Sequence, residues 1–342
     1  MESSSNLLIA PLSRLDKKTG KEAHFSQRQR QAIRRNGIFS MEKKGVELYY
    51  ELYGEGKKKV IFVCGLGDPM DDWRRTVLSL LMHEEFEICL FNNRGVRESK
   101  FRNVRLTTSQ MASDVVELAK FLGWEKINIC GFSMGGFIVT ELICLKPDLL
   151  ESAIIVGGSS GRFFPSSYMF KNVSKMLLSR NEEDAREILY KTKISDYHLE
   201  HPHPEFGGET GLEFIKRPLS ELPFPEDRPP IHTLFAHCLA CWTHYVSLER
   251  LNEAKKKIDY PILVIHGTDD KIVPFSHGEY IAKHLDAQFY PFHNCGHIVF
   301  IEETEKFNDL VTRFFLNLPL PSNEKSIDKL SSFATSQSSS SS

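Results

Sequence analysis

Short apolar segments alternate with amphipathic ones along the first half of the chain. An apolar run of about four to eight residues is typical of a buried strand, whereas apolar positions three and four apart predict a helix. The strand pattern occurs at 46–53, 59–64, 86–91, 126–130 and 153–156, and the helix pattern at 71–83 and 107–121. This alternation predicts an α/β fold with a mostly parallel sheet and helices on both faces.

The strand pattern stops near residue 162 and returns near residue 258. Helix-like segments separated by proline-rich stretches fill the interval, at 168–178, 182–190, 232–242 and 245–255. We therefore expect a helical cap at 162–257, inserted into a core made of 37–161 and 258–318.

The two ends of the chain have the composition of disordered segments. We expect residues 1–36 to be a disordered arm, with a transit peptide as the alternative, because arginines there are interrupted by acidic residues. The serine-rich residues 319–342 are expected to be a disordered tail. No apolar stretch approaches the length of a transmembrane helix, so we predict a cytoplasmic protein, with import into an organelle left open.

The pentapeptide Gly131-Phe132-Ser133-Met134-Gly135 lies between an apolar run and a helix-like stretch. A serine between two glycines at a sharp turn from strand to helix is typical of a nucleophile elbow. The glycines allow neighbouring backbone to pass close by, and the helix behind the serine directs N–H groups toward any oxyanion formed there. An ordinary strand-to-helix turn is the alternative interpretation.

Two later segments supply candidates for an acid and a base. A buried-strand pattern ends in a glycine and is followed by Asp269 and Asp270, either of which could orient a catalytic histidine. His297 follows a glycine on the loop after the next short strand and is the candidate base. We expect His266 to be a core histidine satisfied by local backbone, and His293 to be a surface residue.

Serine, acid and histidine follow one another in the chain order of the α/β-hydrolases. Residues 37–318 resemble that superfamily, specifically its lidded serine esterase and lipase-like branch. The resemblance implies a triad of Ser133, Asp270 and His297, because the family pattern Gly-x-x-Asp-x-Ile-Val-Pro selects Asp270 over Asp269.

The resemblance also implies an oxyanion hole made by the backbone N–H groups of Leu66 and Met134. The family usually has a histidine where Cys64 stands, but a backbone donor survives this change. In the family's Asp-x-Arg-Gly-x-Gly-x-Ser turn, Asn92 replaces the acid and Arg97 the second glycine. We expect that turn to be kept and its local pairing to be altered.

A helical cap in this family covers the triad, shapes the substrate pocket and excludes water. The candidates for pocket walls are large apolar cap residues, although each could instead pack in the core of the cap: Phe163, Phe164, Met169, Phe170 and Trp242. Such a lid implies a mainly apolar acyl group of modest size.

The residue types predict a mechanism. His297 would take the proton of Ser133 and return it to the leaving group, while Asp270 would fix the imidazole tautomer. Ser133 would form an acyl-enzyme that water hydrolyses, without a metal or organic cofactor. We expect a serine hydrolase that acts on a small to medium, mainly apolar ester, thioester or lactone.

Other functions remain open at this stage. A carbon–carbon bond hydrolase keeps the serine, whereas epoxide hydrolases and haloalkane dehalogenases carry an aspartate at the position of Ser133. Acyl transfer is an alternative because His297 and Glu302 approach the His-x4-Asp pattern of some lipid acyltransferase-like relatives, although a helix-start acid also explains Glu302. A ligand-binding or partner-binding protein on a hydrolase fold is a further alternative, which the intact triad disfavours.

Charge and cysteine content indicate which classes of partner, compartment and metal site to expect. A net charge of −2 argues against nucleic acid and leaves a small-molecule substrate, with the oligomeric state undetermined. Seven scattered cysteines indicate free thiols in a reducing compartment. Cys238 and Cys241, flanked by His237 and His244, lack the second pair that structural zinc needs, so we predict no metal there. A further histidine group is expected to be exposed on a loop and to bind no metal: His198, His201 and His203.

Overall fold

The structure is a computed structural model that describes residues 33–102, 105–161, 171–172, 174–175, 179, 182–217 and 229–322. Nine strands lie within these ranges: β1 (Ile33–Met41), β2 (Val46–Tyr53), β3 (Lys58–Val63), β4 (Phe86–Phe91), β5 (Lys100–Phe101), β6 (Ile127–Phe132), β7 (Leu150–Val156), β8 (Ile262–Gly267) and β9 (Gln288–Phe292).

The α-helices of the described residues follow in chain order. They are α1 (Arg74–Leu80), α2 (Thr108–Phe121), α3 (Met134–Leu145), α4 (Glu182–Lys193), α5 (Asp196–Glu200), α6 (Gly211–Ile215), α7 (Ile231–Thr243), α8 (Leu248–Lys255), α9 (Phe275–Leu285), α10 (Val299–Glu302) and α11 (Thr304–Phe315). Short 3-10 turns occur at Glu42–Lys44, Met70–Trp73, Pro147–Leu149 and Pro204–Phe206. Within this part of the chain, no helix combines the length and the apolar composition that crossing a bilayer requires.

The strands form one sheet in the order β1-β2-β4-β3-β6-β7-β8-β9, and β5 pairs with β2. The pairs formed by β2 are antiparallel, and those from β4 to β9 are parallel. Strands β4, β6 and β8 are buried along their whole length, as strands must be when helices cover both faces. The predicted α/β fold with a mostly parallel sheet is confirmed.

Two apolar layers cover the two faces of the sheet. One contains α2, α3, α7, α8 and α9, and the other contains α1, α10 and α11 together with residues of the cap-side helices α4, α5 and α6. Because β3, β6, β8 and β9 run parallel, their carboxyl ends meet at one edge of the sheet. The loops that leave this edge carry Leu66, Ser133, Asp270 and His297, which is where open α/β sheets place their sites.

Two described elements extend across the predicted domain boundaries, which stay predictions. Strand β1 already includes Ile33, before the predicted core start at residue 37, and it opens with exposed polar residues that give an edge strand no apolar alternation. Helix α8 was predicted to belong to the cap, but it packs against α3 and α9 with Leu251 fully buried. The amphipathic pattern of α8 alone could not distinguish packing against core helices from packing within the cap.

Candidate active site

Ser133 alone forms the turn between β6 and α3. Its backbone has φ 55° and ψ −118°, a conformation that costs about 1–3 kcal/mol in a residue with a side chain. The Ser133 amide donates to the Val156 carbonyl at 2.8 Å, which ties the turn to β7. A strained serine at the start of a helix is the backbone geometry that a nucleophile elbow requires.

The two glycines that flank this turn are required by close backbone contacts. A Cβ atom on Gly131 would lie within 3.0 Å of the Gly135 carbonyl, and one on Gly135 within 3.0 Å of the Val63 carbonyl. Backbone atoms cannot move aside as a flexible side chain does, so neither position accepts alanine without a shift of the turn. The elbow therefore packs directly against the end of β3.

Asp270, on the loop after β8, is buried and directed at His297. Its Oδ1 accepts hydrogen bonds from the amides of Ile272 at 2.8 Å and Val273 at 2.9 Å. Its Oδ2 lies 2.7 Å from Nδ1 of His297. Asp269 is exposed instead. The structure thus places Asp270, and not its neighbour, against the candidate base.

The ring of His297 lies beside the elbow. It packs against Phe132, the residue before the serine, with ring centroids 4.8 Å apart. A Cβ atom on Gly157 would lie 3.4 Å from this imidazole and 3.6 Å from Oδ2 of Asp270. Gly157 directly follows the carbonyl that holds the Ser133 amide. The acid and the histidine are therefore grouped around the strained serine.

The charge of Asp270 fixes the proton on His297. Burial alone would raise the pKa of Asp270, but the charges and hydrogen bonds of His297 and His266 outweigh burial and hold that pKa well below its usual range. An ionised carboxylate only accepts hydrogen bonds, so Nδ1 of His297 carries the proton. Its Nε2 is left with a lone pair and can act as a base.

His266 contacts the same carboxylate. Its Nε2 lies 2.9 Å from the Val273 carbonyl and 3.3 Å from Oδ2 of Asp270. The sequence prediction of a core histidine bonded to local backbone is therefore incomplete, because this N–H also faces the acid. The fully buried Nδ1 of His266 has no hydrogen-bond partner among the described residues.

The loop at residues 64–67, after β3, is held by side chains from two other segments. The Gly67 amide donates to Nδ1 of His237 at 3.1 Å, and Nε2 of His237 lies 2.9 Å from the Arg94 carbonyl. The side-chain amide of Asn93 donates to the Cys64 carbonyl at 3.0 Å. His237 comes from helix α7, so a histidine from the predicted cap supports the loop in which Cys64 replaces the family's histidine. Sequence reasoning missed this role, and the only signal was a histidine among apolar positions of a helix.

Leu66 and Met134 were predicted to supply the oxyanion hole. Leu66 lies within the supported loop, and Met134 is the first residue of α3. The two turns adjoin, since a Cβ atom on Gly135 would touch the end of β3. That both N–H groups point at one substrate oxygen stays a prediction.

The turn that begins at Asn92 is kept, with altered local pairing, as predicted. Oδ1 of Asn92 accepts the Met70 amide at 2.9 Å, and its Nδ2 donates to Glu98 at 3.1 Å. An aspartate could make the first bond but not the second. Arg97 adopts a positive φ of 47° at the position of the family's second glycine and pairs with Asp71.

Most of the predicted pocket walls fall outside the described residues: Phe163, Phe164, Met169 and Phe170. Trp242 lies near the end of α7, with 49% of its surface exposed. Its role in binding a substrate stays a prediction.

The prediction that His198 is an exposed loop residue is wrong. His198 lies on α5 and is buried, with Nδ1 at 3.0 Å from Oε2 of the buried Glu302. Contact with a carboxylate more than 100 residues away cannot be read from local sequence. His201, by contrast, is exposed.

Among the residues that the structure describes, two groups of side chains lie close enough to hold a metal ion: His198, Cys295 and Glu302, and His198, His203 and Glu303. Their hydrogen bonds oppose metal binding. Both carboxylate oxygens of Glu302 already accept from backbone amides. Nδ1 of His203 accepts from the Glu205 amide at 3.3 Å, so the proton of a neutral ring sits on Nε2, the nitrogen that would bind a metal.

We expect the free energy of unfolding to fall as the pH is lowered from about 6.5 to about 4. Burial is the main cause that lowers the pKa of both His237 and His244 from 6.5 to about 4. Because the unfolded chain binds protons at these sites first, their contribution is complete above the unfolded pKa and is lost as the pH falls toward the folded one. The loss should approach about 3 kcal/mol for each histidine at pH 4.

Urea unfolding at a series of pH values measures this loss. The variant His237→Gln should show a shallower pH dependence between about 6.5 and 4 than the unmodified protein. His232→Asn, an exposed histidine on the same helix, is the matched control and should leave the dependence unchanged. Equal slopes for all three proteins would contradict the assignment.

Comparison with known proteins gives one consistent result. A family model for the alpha/beta hydrolase fold matches residues 58–304. The chain is 24% identical over 293 residues to 2-hydroxy-6-oxononadienedioate/2-hydroxy-6-oxononatrienedioate hydrolase 2 of Pseudomonas putida, covering 79% of this chain and 91% of that protein. It is 25% identical over 243 residues to the bifunctional esterase/perhydrolase DCH of Acinetobacter calcoaceticus, covering 68% and 82%.

Solved structures show the same fold. A thermophilic esterase from Thermogutta terrifontis superimposes with a TM-score of 0.64 at 20% identity, over 83% of this chain and 98% of the esterase. The family match spans more than half of the chain and includes the candidate residues Ser133, Asp270 and His297. This chain therefore belongs to the alpha/beta hydrolase family.

Proposed function

We propose that this protein is a serine hydrolase that cleaves a carboxylic ester, thioester or lactone of a small to medium, mainly apolar substrate. Ser133 is the nucleophile, His297 the general base and then the general acid, and Asp270 the residue that orients His297. The backbone N–H groups of Leu66 and Met134 stabilise the tetrahedral oxyanion.

One observation carries the proposal. The Nδ1–H of His297 is directed at the ionised, buried carboxylate of Asp270 at 2.7 Å, next to a serine held in the strained elbow conformation. This arrangement leaves Nε2 of His297 as the only ring nitrogen able to take a proton. If the turn at Ser133 were an ordinary strand-to-helix turn, nothing would offset the free-energy cost of its strained backbone.

The reaction then follows from the proton positions. Ser133 Oγ attacks the acyl carbon while His297 Nε2 takes its proton, and the same nitrogen returns the proton to the leaving group. Water attacks the acyl-enzyme by the same route and releases the acid.

A second candidate is hydrolysis of a carbon–carbon bond between a carbonyl group and an acidic carbon. The relative from Pseudomonas putida, named for its 2-hydroxy-6-oxo substrates, favours it, and such an enzyme would keep Ser133. Acyl transfer with Glu302 as an acid receives no support from the structure, since this carboxylate is engaged by amides away from solvent.

Labelling with a fluorescent fluorophosphonate tests the proposal. The unmodified protein should label and should hydrolyse a panel of nitrophenyl esters, whereas Ser133→Ala should do neither. Ser276→Ala, an exposed serine outside the elbow, is the matched control and should behave as the unmodified protein.

Parallel assays with a 2-hydroxy-6-oxo-dienoate distinguish the two candidates. Turnover of this compound without ester turnover would favour the carbon–carbon reaction. A folded protein that neither labels nor turns over any of these compounds would exclude both.

A further inference from the structure

Glu302 is an ionisable residue with none of its surface exposed. It ends the short helix α10, five positions after the candidate base. Both of its oxygens accept the Gly296 amide, at 2.9 and 3.1 Å, and Oε2 also accepts the Ser195 amide at 3.0 Å. Nδ1 of His198 lies 3.0 Å from the same oxygen. Every one of these contacts uses the carboxylate as an acceptor.

The donors belong to two separate segments. Gly296 immediately precedes His297, whereas Ser195 and His198 lie where the predicted cap reaches the core, on and before α5. The two segments also meet directly, because the His297 amide donates to the Lys193 carbonyl at 2.7 Å. A Cβ atom on Gly296 would lie within 3.0 Å of that carbonyl, which shows how closely the two backbones approach.

We propose that Glu302 is a positioning residue that couples the cap-side segment 193–198 to the orientation of His297. This inference rests on the proposed function, in which His297 is the base. With the carboxylate in place, the backbone on both sides is held together, and the imidazole stays aligned with Asp270. When the bridge is lost, the bond from the His297 amide to the Lys193 carbonyl remains, but the base loop loses the second point at which the cap-side segment holds it.

The size of the effect follows from the geometry of proton transfer. A base displaced by about 1 Å can lose about 100-fold in rate although it never touches the altered residue. The cap-side segment thereby acts on the chemical step, in addition to shaping the pocket. Glu302 itself contacts neither substrate nor the transferred proton.

Glu302→Gln tests the coupling with the smallest change of shape. In either orientation its side-chain NH2 group would face a backbone N–H, that of Gly296 at the Oε1 position or that of Ser195 at the Oε2 position. This contact between two donors weakens the hold on one of the two segments. We expect kcat and the rate of fluorophosphonate labelling to fall about 10- to 100-fold with KM little changed. The downfield proton resonance of the His297 Nδ1–H bond should broaden or disappear.

Glu303→Gln is the matched control. Glu303 is the next residue and pairs with a cap-side histidine, since its Oε1 lies 3.5 Å from Nε2 of His203, but it has no hydrogen bond to the Gly296–His297 loop among the contacts described. It should retain kcat and the downfield resonance. If Glu302→Gln lowers only the melting temperature and keeps both readouts, Glu302 has a structural role alone and the proposal is wrong.

His198→Phe provides a second test should Glu302→Gln fail to fold. It removes one donor on the cap side and leaves the bond to Gly296 in place. Hydrogen exchange should then increase at both 193–198 and 296–297, whereas an increase confined to 193–198 would overturn the coupling. The exchange and the downfield resonance need no substrate, so they test the coupling even if the protein proves not to hydrolyse esters.

Discussion

Replacing Asp270 by asparagine is expected to lower kcat about 10⁴-fold while the protein stays folded. The amides of Ile272 and Val273 both donate to Oδ1, so an asparagine would place its carbonyl oxygen there. Its NH2 group would then occupy the position of Oδ2 and donate to Nδ1 of His297. The imidazole proton would be forced onto Nε2, the nitrogen that accepts the proton of Ser133 in the proposed mechanism.

The neighbouring aspartate supplies the control for this variant. Asp269→Asn makes the same chemical change one residue away, at an exposed position. We expect it to leave kcat within about twofold of the unmodified protein, as surface substitutions usually do. Steady-state kinetics on the best ester, with circular dichroism to confirm folding, measures both variants. A larger loss in Asp269→Asn than in Asp270→Asn would reverse the assignment of the acid.

Strands and the elbow could be predicted because their signals are local. A buried strand is an apolar run, and the Gly131–Gly135 motif is five consecutive residues, so β2 and β4 have the predicted bounds. The start of β1 could not be predicted, because an edge strand rich in charged residues looks like an extended polar segment.

The side chains that hold the loops of the candidate site could not be predicted, because their hydrogen-bond partners are distant in the chain. His237 and Gly67 are 170 residues apart in the chain, and Glu302 is separated from Ser195 by 107. A buried polar side chain finds its partner through the whole fold, and short patterns carry no information about that partner. The sequence shows that Cys64 stands where the family usually has a histidine, yet it could not show that His237 supports the loop at residues 64–67.

Hydrogen bonds connect helix α2 to the loop at residues 64–67. Asp114 on α2 binds the Arg94 side chain, the Arg94 carbonyl faces His237, and His237 accepts the Gly67 amide. The guanidinium of Arg94 makes two hydrogen bonds to the carboxylate, at 2.5 and 2.7 Å, and both residues are buried. Loss of this ion pair should therefore lower the free energy of unfolding and loosen the loop at residues 64–67.

We expect Asp114→Leu to reduce the free energy of unfolding by about 3–5 kcal/mol at neutral pH, and Arg94→Met to cost less. The asymmetry arises because a guanidinium cannot lose its proton, so Arg94 would remain as a buried, unpaired charge. A carboxyl group can instead take up a proton. Burial raises the pKa of Asp114 even against the opposing effect of Arg94, so that proton is easily gained once Arg94 is absent.

Urea unfolding of both single variants and the double variant Arg94→Met/Asp114→Leu measures these energies. The double variant should recover much of the stability, because an apolar pair needs no desolvated charges. The cost of Arg94→Met should shrink as the pH falls, whereas that of Asp114→Leu should not. Arg313→Met, which breaks an exposed pair with Asp309, should cost less than about 1 kcal/mol. If Arg94→Met and Asp114→Leu lowered the free energy of unfolding equally at every pH, neither residue would keep a buried, unpaired charge after its partner is replaced.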